Sequence, residues 1–225
     1  MTIASYDDVV QRCQDWLFGR SDIAARVPDF IVMFEAHANR TLTCRQMEER
    51  VTAVVDTSAT EPEFLSLPID FQAMRRVRVI NTFNPSTAPT AGPQKPRLRY
   101  ATGAQLDDLR MRNLQARCPE WFTLFGDEME LLPTPDNAYP IEMIYRKLLP
   151  ALSTVNETNW LLLLAPDAYL YGTLMQAAPY LADDDRIPVW SSAAQAALDE
   201  LNRLSEQSTY NAGPLLMRRR GGGYS

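Results

Sequence analysis

The 225-residue sequence is poor in the residue types from which most catalytic and metal sites are built. It contains one histidine, His37, and three widely separated cysteines without CxxC spacing, Cys13, Cys44 and Cys118. A Ser-His-Asp or Cys-His pair needs a base that a carboxylate orients, and nothing in the sequence points to one. Scattered cysteines predict buried free thiols rather than a disulfide framework or a zinc site. The sequence therefore predicts no enzyme, no catalytic residue, no metal and no cofactor.

Long apolar runs and phosphate-binding loops are also missing. The longest apolar run, residues 160–165, stops at Pro166 and is far shorter than the roughly 20 residues that cross a bilayer. There is no GxGxxG or GxxxxGK[ST] motif. The first residues lack the basic and apolar segments of a signal peptide. We therefore expect a protein that has no membrane partner and is made in a cytoplasm.

Apolar residues recur at helical spacing near both ends of the chain. Ser5 has the position of an N-cap for a first helix. A second helix is predicted to begin near Ser21 or Asp22, or after Pro28, and to run to about Arg50. Towards the C-terminus, Pro166 fits the first turn of a third helix, and a fourth follows Pro188. These patterns predict two helices at each end.

The middle of the chain has a period of two residues, which is typical of strands. Val51, Ala53 and Val55 alternate with polar neighbours, and Val77–Ile80 is a further predicted strand. Gly126-Asp127 separates two more such runs, as a hairpin turn does. These patterns predict an antiparallel, β-rich module.

Together, the patterns predict an α+β fold that is mostly α. It is a helical bundle of two N-terminal and two C-terminal helices, with an antiparallel β-rich insertion and an extended C-terminal arm. The predicted boundaries place the bundle at residues 1–50 and 159–209, the insertion at residues 51–158 and the arm at residues 210–225.

The formal net charge of −6 is unevenly distributed along the chain. Residues 75–117 contain nine basic and two acidic residues, a net charge of +7, and residues 218–220 are three arginines, so the rest carries −16. Because complementary patches guide docking, we expect a subunit that binds head to tail against its own copies or partner proteins. A basic segment that binds nucleic acid is the alternative, although aromatic residues do not alternate with its arginines as stacking platforms require.

Two pairs of arginines in this basic segment occupy alternate positions, Arg76 with Arg78 and Arg97 with Arg99. Residues two apart on a strand lie on one face, so each pair presents its charges together. One interpretation is the solvated face of a half-buried sheet, and another is a contact with nucleic-acid phosphates. The four residues are also a candidate charge patch for a neighbouring subunit or a partner.

The C-terminal segment has no periodicity that would fold it alone. Ordering about ten residues costs on the order of 10–20 kcal/mol of backbone entropy. Burying three apolar side chains recovers only roughly 5–9 kcal/mol. The segment is therefore either a free end or an arm that orders against a partner, such as an exposed sheet edge. The candidate arm residues are Leu215, Leu216, Met217, Arg218, Arg219, Arg220 and Tyr224.

Three stretches of the sequence together resemble the head-to-tail adaptor (connector) proteins of tailed bacteriophages. The resemblance covers most of the chain and lies in the order and spacing of residues rather than in a chemical signature. The first stretch contains Pro28-Asp29-Phe30-Ile31, Glu35, Asn39-Arg40, Leu42, Arg45 and Met47-Glu48. The second contains Leu67-Pro68-Ile69-Asp70-Phe71 and Arg75-Arg76-Val77. The third contains Gly126-Asp127, Leu131-Leu132-Pro133, Pro135-Asp136, Tyr145, Leu152-Ser153, Asn159-Trp160-Leu161, Pro166-Asp167, Tyr169-Leu170-Tyr171-Gly172 and Tyr180-Leu181.

The resemblance implies a structural virion protein of the head–tail neck, assembled in the host cytoplasm. Such a protein forms a homo-oligomeric ring, a dodecamer, between the portal protein and the next tail component, a tail terminator, stopper or nozzle protein. Genome DNA passes through the lumen during ejection without sequence-specific binding. The extended C-terminal arm of such proteins reaches the portal, and the corresponding residues here are 215–225.

Overall fold

A computed structural model of the chain describes residues 3–17, 23, 25–80, 97–112, 115–181 and 184–209. The chain divides into two compact units. The helical unit contains the described residues up to Arg45 and those from Leu149 onwards, and the sheet unit is Gln46–Leu148. In sequence, the sheet unit is therefore inserted between two halves of the helical unit.

Six α-helices and seven β-strands lie within the described ranges. The helices are α1 (Tyr6–Trp16), α2 (Val27–Thr41), α3 (Gly103–Arg110), α4 (Trp160–Leu164), α5 (Pro166–Leu181) and α6 (Ile187–Thr209). The strands are β1 (Glu48–Val54), β2 (Phe64–Ser66), β3 (Phe71–Val79), β4 (Arg99–Tyr100), β5 (Trp121–Phe125), β6 (Glu128–Leu132) and β7 (Pro140–Lys147). None of these helices is long and apolar enough to cross a membrane. The fold is α+β and mostly α, as the sequence predicts.

Side-chain caps begin three of the helices. Ser5 Oγ accepts a hydrogen bond from Asp8 N at 3.3 Å, and the Asp8 carboxylate accepts one from Ser5 N at 3.1 Å, so the predicted capped start of α1 is confirmed. Thr102 caps α3 in the same way. Asn159 Oδ1 accepts from Leu162 N at 2.9 Å and caps α4. Helix α4 is a short addition to the two C-terminal helices that the periodicity predicts.

The second helix is shorter than its apolar pattern indicates. Helix α2 ends at Thr41 rather than near Arg50, because Leu42 has an extended backbone with φ −75° and ψ 136°. Strand β1 begins at Glu48 and pairs with β7, which lies far along the chain. The prediction of helix for residues 42–50 is therefore wrong, since pairing with a distant strand decides the conformation there.

Helix α5 forms the centre of the helical unit and contacts α1, α2, α4 and α6. The Tyr169 ring packs against Phe34 of α2 with the ring centroids 5.2 Å apart, and Tyr171 packs edge-on against Trp16 of α1 at 5.9 Å. Gly172 lies so close to the Phe34 ring that a Cβ at this position would overlap it. The central position of α5 thus depends on a residue without a side chain.

The sheet unit contains two sheets. Sheet A has the order β1-β7-β3 and is antiparallel, and sheet B has the order β2-β6-β5-β4. In sheet B, β4 runs parallel to β5. The prediction of an antiparallel insertion is therefore wrong for this pair of strands. Strands β5 and β6 form the predicted hairpin through Gly126-Asp127, where Gly126 has a φ of 56° that favours glycine.

One face of each sheet contributes to a shared apolar core. Its buried members are Val55, Leu67, Val77, Leu98, Phe122, Met129, Leu131, Ile141 and Met143. Side chains alternate across a strand, so the burial of Val77 places Arg76 and Arg78 on the opposite face of sheet A. The core of the sheet unit therefore turns the first predicted arginine pair away from its interior.

Candidate functional site

Arg76 and Arg78 both form ion pairs with Glu142 of β7. Arg78 binds its carboxylate in a bidentate way, with Nε 2.6 Å from Oε1 and Nη2 2.9 Å from Oε2. Arg76 Nη2 lies 3.5 Å from Oε1. A third arginine, Arg50 of β1, places Nη1 3.3 Å from Oε2. We name these three arginines and Glu142 the arginine cluster.

Strand register explains why these side chains converge. On sheet A, Arg78 lies opposite Glu142, while Arg50 and Arg76 both lie opposite Ile144 from the two outer strands. The Glu142 side chain is 2% exposed beneath guanidinium groups that are 35–70% exposed. Sequence reasoning missed Arg50 and Glu142, because they are 92 residues apart and no local pattern connects them.

The arginines hold Glu142 in its ionised form. The hydrogen bond from Arg78 lowers the pKa of Glu142 below its ordinary value, burial opposes this, and the charges of Arg78, Arg50 and Arg76 lower it further. The same hydrogen bond raises the pKa of Arg78. The cluster therefore contains three cations and one anion, which gives these four residues a net charge of +2.

The second predicted pair, Arg97 and Arg99, lies where the chain enters β4 of sheet B. Both residues are exposed on either side of the buried Leu98, but only Arg99 belongs to a strand. Arg99 also lines an open groove of about 350 Å³ between β4 and one face of α3, with Tyr100 and Trp121 among its other lining residues. Leu98 N donates to the Val77 carbonyl at 3.2 Å, so the two predicted pairs lie on adjacent segments. Arg76 and Arg78 converge on one carboxylate.

Folding places acidic side chains beside much of the basic segment 75–117. Beyond the arginine cluster, described residues of the segment form the ion pairs Arg75 with Glu48, Arg110 with Glu130 and Arg117 with Glu120. The whole sheet unit contains twelve basic and fourteen acidic residues, a net charge of −2. The +7 of the segment is thus distributed among carboxylates of neighbouring strands, which does not favour a continuous nucleic-acid surface.

His37 and the cysteines, which are the residues considered for catalysis, have surroundings that indicate structural roles. His37 is half-buried on α2, and its backbone carbonyl accepts a hydrogen bond from Thr41 Oγ1. Burial raises the pKa of the Cys13 thiol to about 12 and also raises that of Cys44, which disfavours thiolates. Within the part of the chain that the structure describes, no three His, Cys, Asp or Glu side chains are grouped to hold a metal ion.

Several polar residues in the stretches that carry the resemblance form internal hydrogen bonds. Glu35 Oε1 accepts from Leu152 N at 2.8 Å and from Tyr169 Oη at 3.0 Å within the helical unit. In the sheet unit, Tyr145 Oη donates to Asp70 Oδ1 at 2.8 Å. Burial raises the pKa of Glu35, and burial also raises the pKa of both tyrosines. These contacts hold each unit together rather than forming a binding site.

The candidate arm lies beyond Thr209, the last residue that the structure describes. Its residues are Leu215, Leu216, Met217, Arg218, Arg219, Arg220 and Tyr224, and all of them lie outside the described residues. The arm therefore stays a prediction.

Comparison with known proteins gives a match that covers both units. The model of the SU10 adaptor protein family matches residues 4–218, which is nearly the whole chain. No curated protein matches the sequence. The family consists of structural adaptor proteins of phages and is not an enzyme family. The chain therefore belongs to the SU10 adaptor protein family and is a structural adaptor of the phage virion that associates with other head–tail components.

Proposed function

We propose that the chain forms a closed ring in the head–tail neck, between the portal protein and the next tail component. Phage DNA leaves the head through the lumen of this ring without sequence-specific binding. The family match over residues 4–218 is the observation that carries the proposal. The ring size is twelve, as the resemblance to head-to-tail adaptors implies.

The charge distribution supports a ring. The arginine cluster has a net charge of +2, whereas residues 149–209 contain eight acidic and two basic residues, a net charge of −6. One chain thus has regions of opposite sign. Such a chain suits a heterologous interface, in which one surface of each copy binds a different surface of the next, and this interface closes into a ring when the rotation between neighbours permits.

The C-terminal arm is the proposed contact with the portal. Residues 215–217 supply apolar side chains, residues 218–220 supply three positive charges, and Tyr224 ends the arm. The apolar contacts of one arm do not offset the entropy cost of ordering it, so its charged contacts have to contribute as well. A ring compensates because its arms are tethered together and bind at high effective concentration.

The proposal is tested by assembling the full chain with the portal protein and measuring the mass of the native complex. We expect twelve copies on each portal ring, and electron microscopy should show a closed ring with a central channel. The chain alone is measured in parallel, because the portal can template the assembly of free subunits. Only one-to-one complexes with portal subunits, or no association at all, would overturn the proposal.

The alternative is a nucleic-acid-binding protein that uses residues 75–117. Ion pairs with Glu48, Glu120, Glu130 and Glu142 weigh against it, because they neutralise arginines that phosphates would need. A protein with this alternative function would bind duplex DNA with an affinity that falls steeply as the salt concentration rises. Tight, salt-sensitive DNA binding by a chain that does not associate with portal would favour this alternative.

A further inference from the structure

We infer that the arginine cluster on sheet A is an interface site that receives a carboxylate from helix α6 of a neighbouring copy of the chain. The inference rests on the proposed ring and names the residues through which copies recognise each other. Three observations carry it: surplus cations in the cluster, their spacing on the sheet, and an acidic helix on the same chain.

The cluster has more cations than its own carboxylate satisfies. The bidentate contact with Arg78 already neutralises Glu142, at 2.6 and 2.9 Å. Arg50 and Arg76 reach the same carboxylate only at 3.3 and 3.5 Å. The Arg76 Nε atom is buried and has no hydrogen-bond acceptor among the described residues. Each guanidinium has five N–H donors, so Arg50 and Arg76 retain charge and donors for a second acidic group.

The spacing of these two arginines fits that second group. Arg50 and Arg76 lie opposite the same residue, Ile144, on the two strands that flank β7. Neighbouring strands are about 4.8 Å apart, so the two Cα atoms are separated by about 10 Å across the Ile144 side chain. A carboxylate above Ile144 would contact both guanidinium groups. Such a contact would also relieve the repulsion among three like charges.

The flanking residues favour an acidic protein side chain over a phosphate backbone. Glu48 lies two residues before Arg50 on the same face of β1, and it pairs with Arg75. Glu48 also lies opposite Arg146 of β7 on this face. A polyphosphate that extended from Arg50 along β1 would meet the Glu48 carboxylate, whereas a single aspartate or glutamate above Ile144 would not. The surplus of two charges also matches a small number of carboxylates.

Helix α6 offers the complementary surface. It contains Asp199, Glu200 and Glu206 but only one basic residue, Arg203, and all four are exposed. Arg203 pairs with Glu200 at 3.5 Å, which leaves the helix with a net charge of −2. Asp199 accepts a hydrogen bond from Gln195, so its carboxylate is held on the helix surface. A ring in which every copy presents both surfaces needs no further component to match these charges.

The test compares two arginines that are similarly exposed and that each contact one carboxylate. Arg50 is 70% exposed with one carboxylate contact at 3.3 Å, and Arg26 is 59% exposed with one contact at 3.6 Å to Asp29. Arg50→Glu should reduce ring assembly on the portal by about tenfold or more, because the loss repeats at every interface of the ring. Arg26→Glu makes the same charge change and should leave assembly within about twofold of wild type. Arg50→Gln, which adds no negative charge, should give an intermediate loss.

Rescue distinguishes a direct contact from a general charge effect. Changing Asp199, Glu200 and Glu206 to Lys should weaken assembly on its own. Combining these changes with Arg50→Glu in one chain should restore assembly in part, since the new lysines on α6 can then pair with the new carboxylate at position 50. Additive losses in the combined variant would overturn the inference. Unfolding curves of all variants exclude loss of assembly through loss of fold.

The outcomes also separate this inference from the proposed function. If wild type forms no ring with portal, both fail. If wild type forms a ring and the Arg50→Glu and Arg26→Glu variants assemble equally, only the inference fails. If Arg50→Glu abolishes DNA binding but leaves assembly unchanged, the cluster is a phosphate site and the inference is likewise overturned.

Discussion

Tyr169 of α5 and Glu35 of α2 meet inside the helical unit, where Tyr169 Oη donates a hydrogen bond of 3.0 Å to Glu35 Oε1. The same oxygen accepts the backbone N–H of Leu152 at 2.8 Å. One buried carboxyl group therefore joins a helix before the sheet unit to two segments after it. Removing such a group leaves two donors buried without their acceptor, which costs more than the bonds themselves contribute.

Glu35→Ala should destabilise the chain by about 2–4 kcal/mol, because it leaves the Leu152 N–H and the Tyr169 hydroxyl without their acceptor. Glu35→Gln should cost less, since an amide oxygen accepts hydrogen bonds too. Urea unfolding measures both effects, with the exposed Glu200→Ala as a control that should change stability by no more than about 0.5 kcal/mol. Equal effects of Glu35→Ala and Glu200→Ala would contradict the assignment.

The titration of Glu35 gives a prediction about pH. Burial raises the pKa of Glu35, so the folded state holds this proton more tightly than the unfolded state. The stability linked to it is complete below the unfolded-state pKa of about 4.3 and is lost as the pH rises through the folded-state pKa. From about pH 4.3 upwards, wild type should therefore lose stability relative to Glu35→Gln. A difference between the two curves that does not change with pH would exclude this linkage.

Glu142 should show the opposite dependence. Its pKa is lowered by Arg78, so its contribution to stability is present above the unfolded-state pKa of about 4.3 and is lost as the pH falls through the folded-state pKa. Glu142→Gln should cost about 1.5–3 kcal/mol at pH 7, and the difference from wild type should shrink in acid. Glu120→Gln, which removes an exposed partner of Arg117, is the control and should have little effect at either pH.

Two glycines differ sharply in what a methyl group would meet. A Cβ at Gly172 would overlap the Phe34 ring, so Gly172→Ala should destabilise the helical unit by about 1–3 kcal/mol. A Cβ at Gly103 would lie 3.2 Å from the end of the Phe125 ring, in the first turn of α3. Gly103→Ala should therefore be close to neutral. Thermal unfolding of both variants measures the contrast, and similar midpoints would contradict the packing at Gly172.

Deleting residues 215–225 tests the arm. The helical periodicity of the sequence ends before Tyr210, so we expect the truncated chain to keep the circular dichroism spectrum and unfolding midpoint of the full chain. Its docking to portal should be lost, because the proposed anchors are removed. Replacing Arg218, Arg219 and Arg220 by Ala should weaken docking and make it less sensitive to salt. Unchanged affinity of the truncated chain for portal would show that the arm is a free end.

Local signals in the sequence were reliable where the chain decides its conformation within a few residues. Ser5 begins a helix because its side chain accepts a hydrogen bond from a backbone N–H three residues later. Gly126 turns a hairpin because its φ of 56° is easy for glycine. Arg50 shows where local signals fail. The apolar pattern predicted helix as far as this residue, but Arg50 lies on strand β1.

The sequence by itself determined the α+β class, the caps and turns, and the scarcity of residues for catalysis, since these depend on neighbouring residues and composition. Only the tertiary structure decided where charge is concentrated. Residues 75–117 have a net charge of +7, but sheet pairing places carboxylates from β1, β6 and β7 among them. A surplus of positive charge remains on one face of sheet A, around Glu142 and Arg50. The register between strands created that cluster, and register is fixed by the burial of the opposite face, which no local pattern reveals.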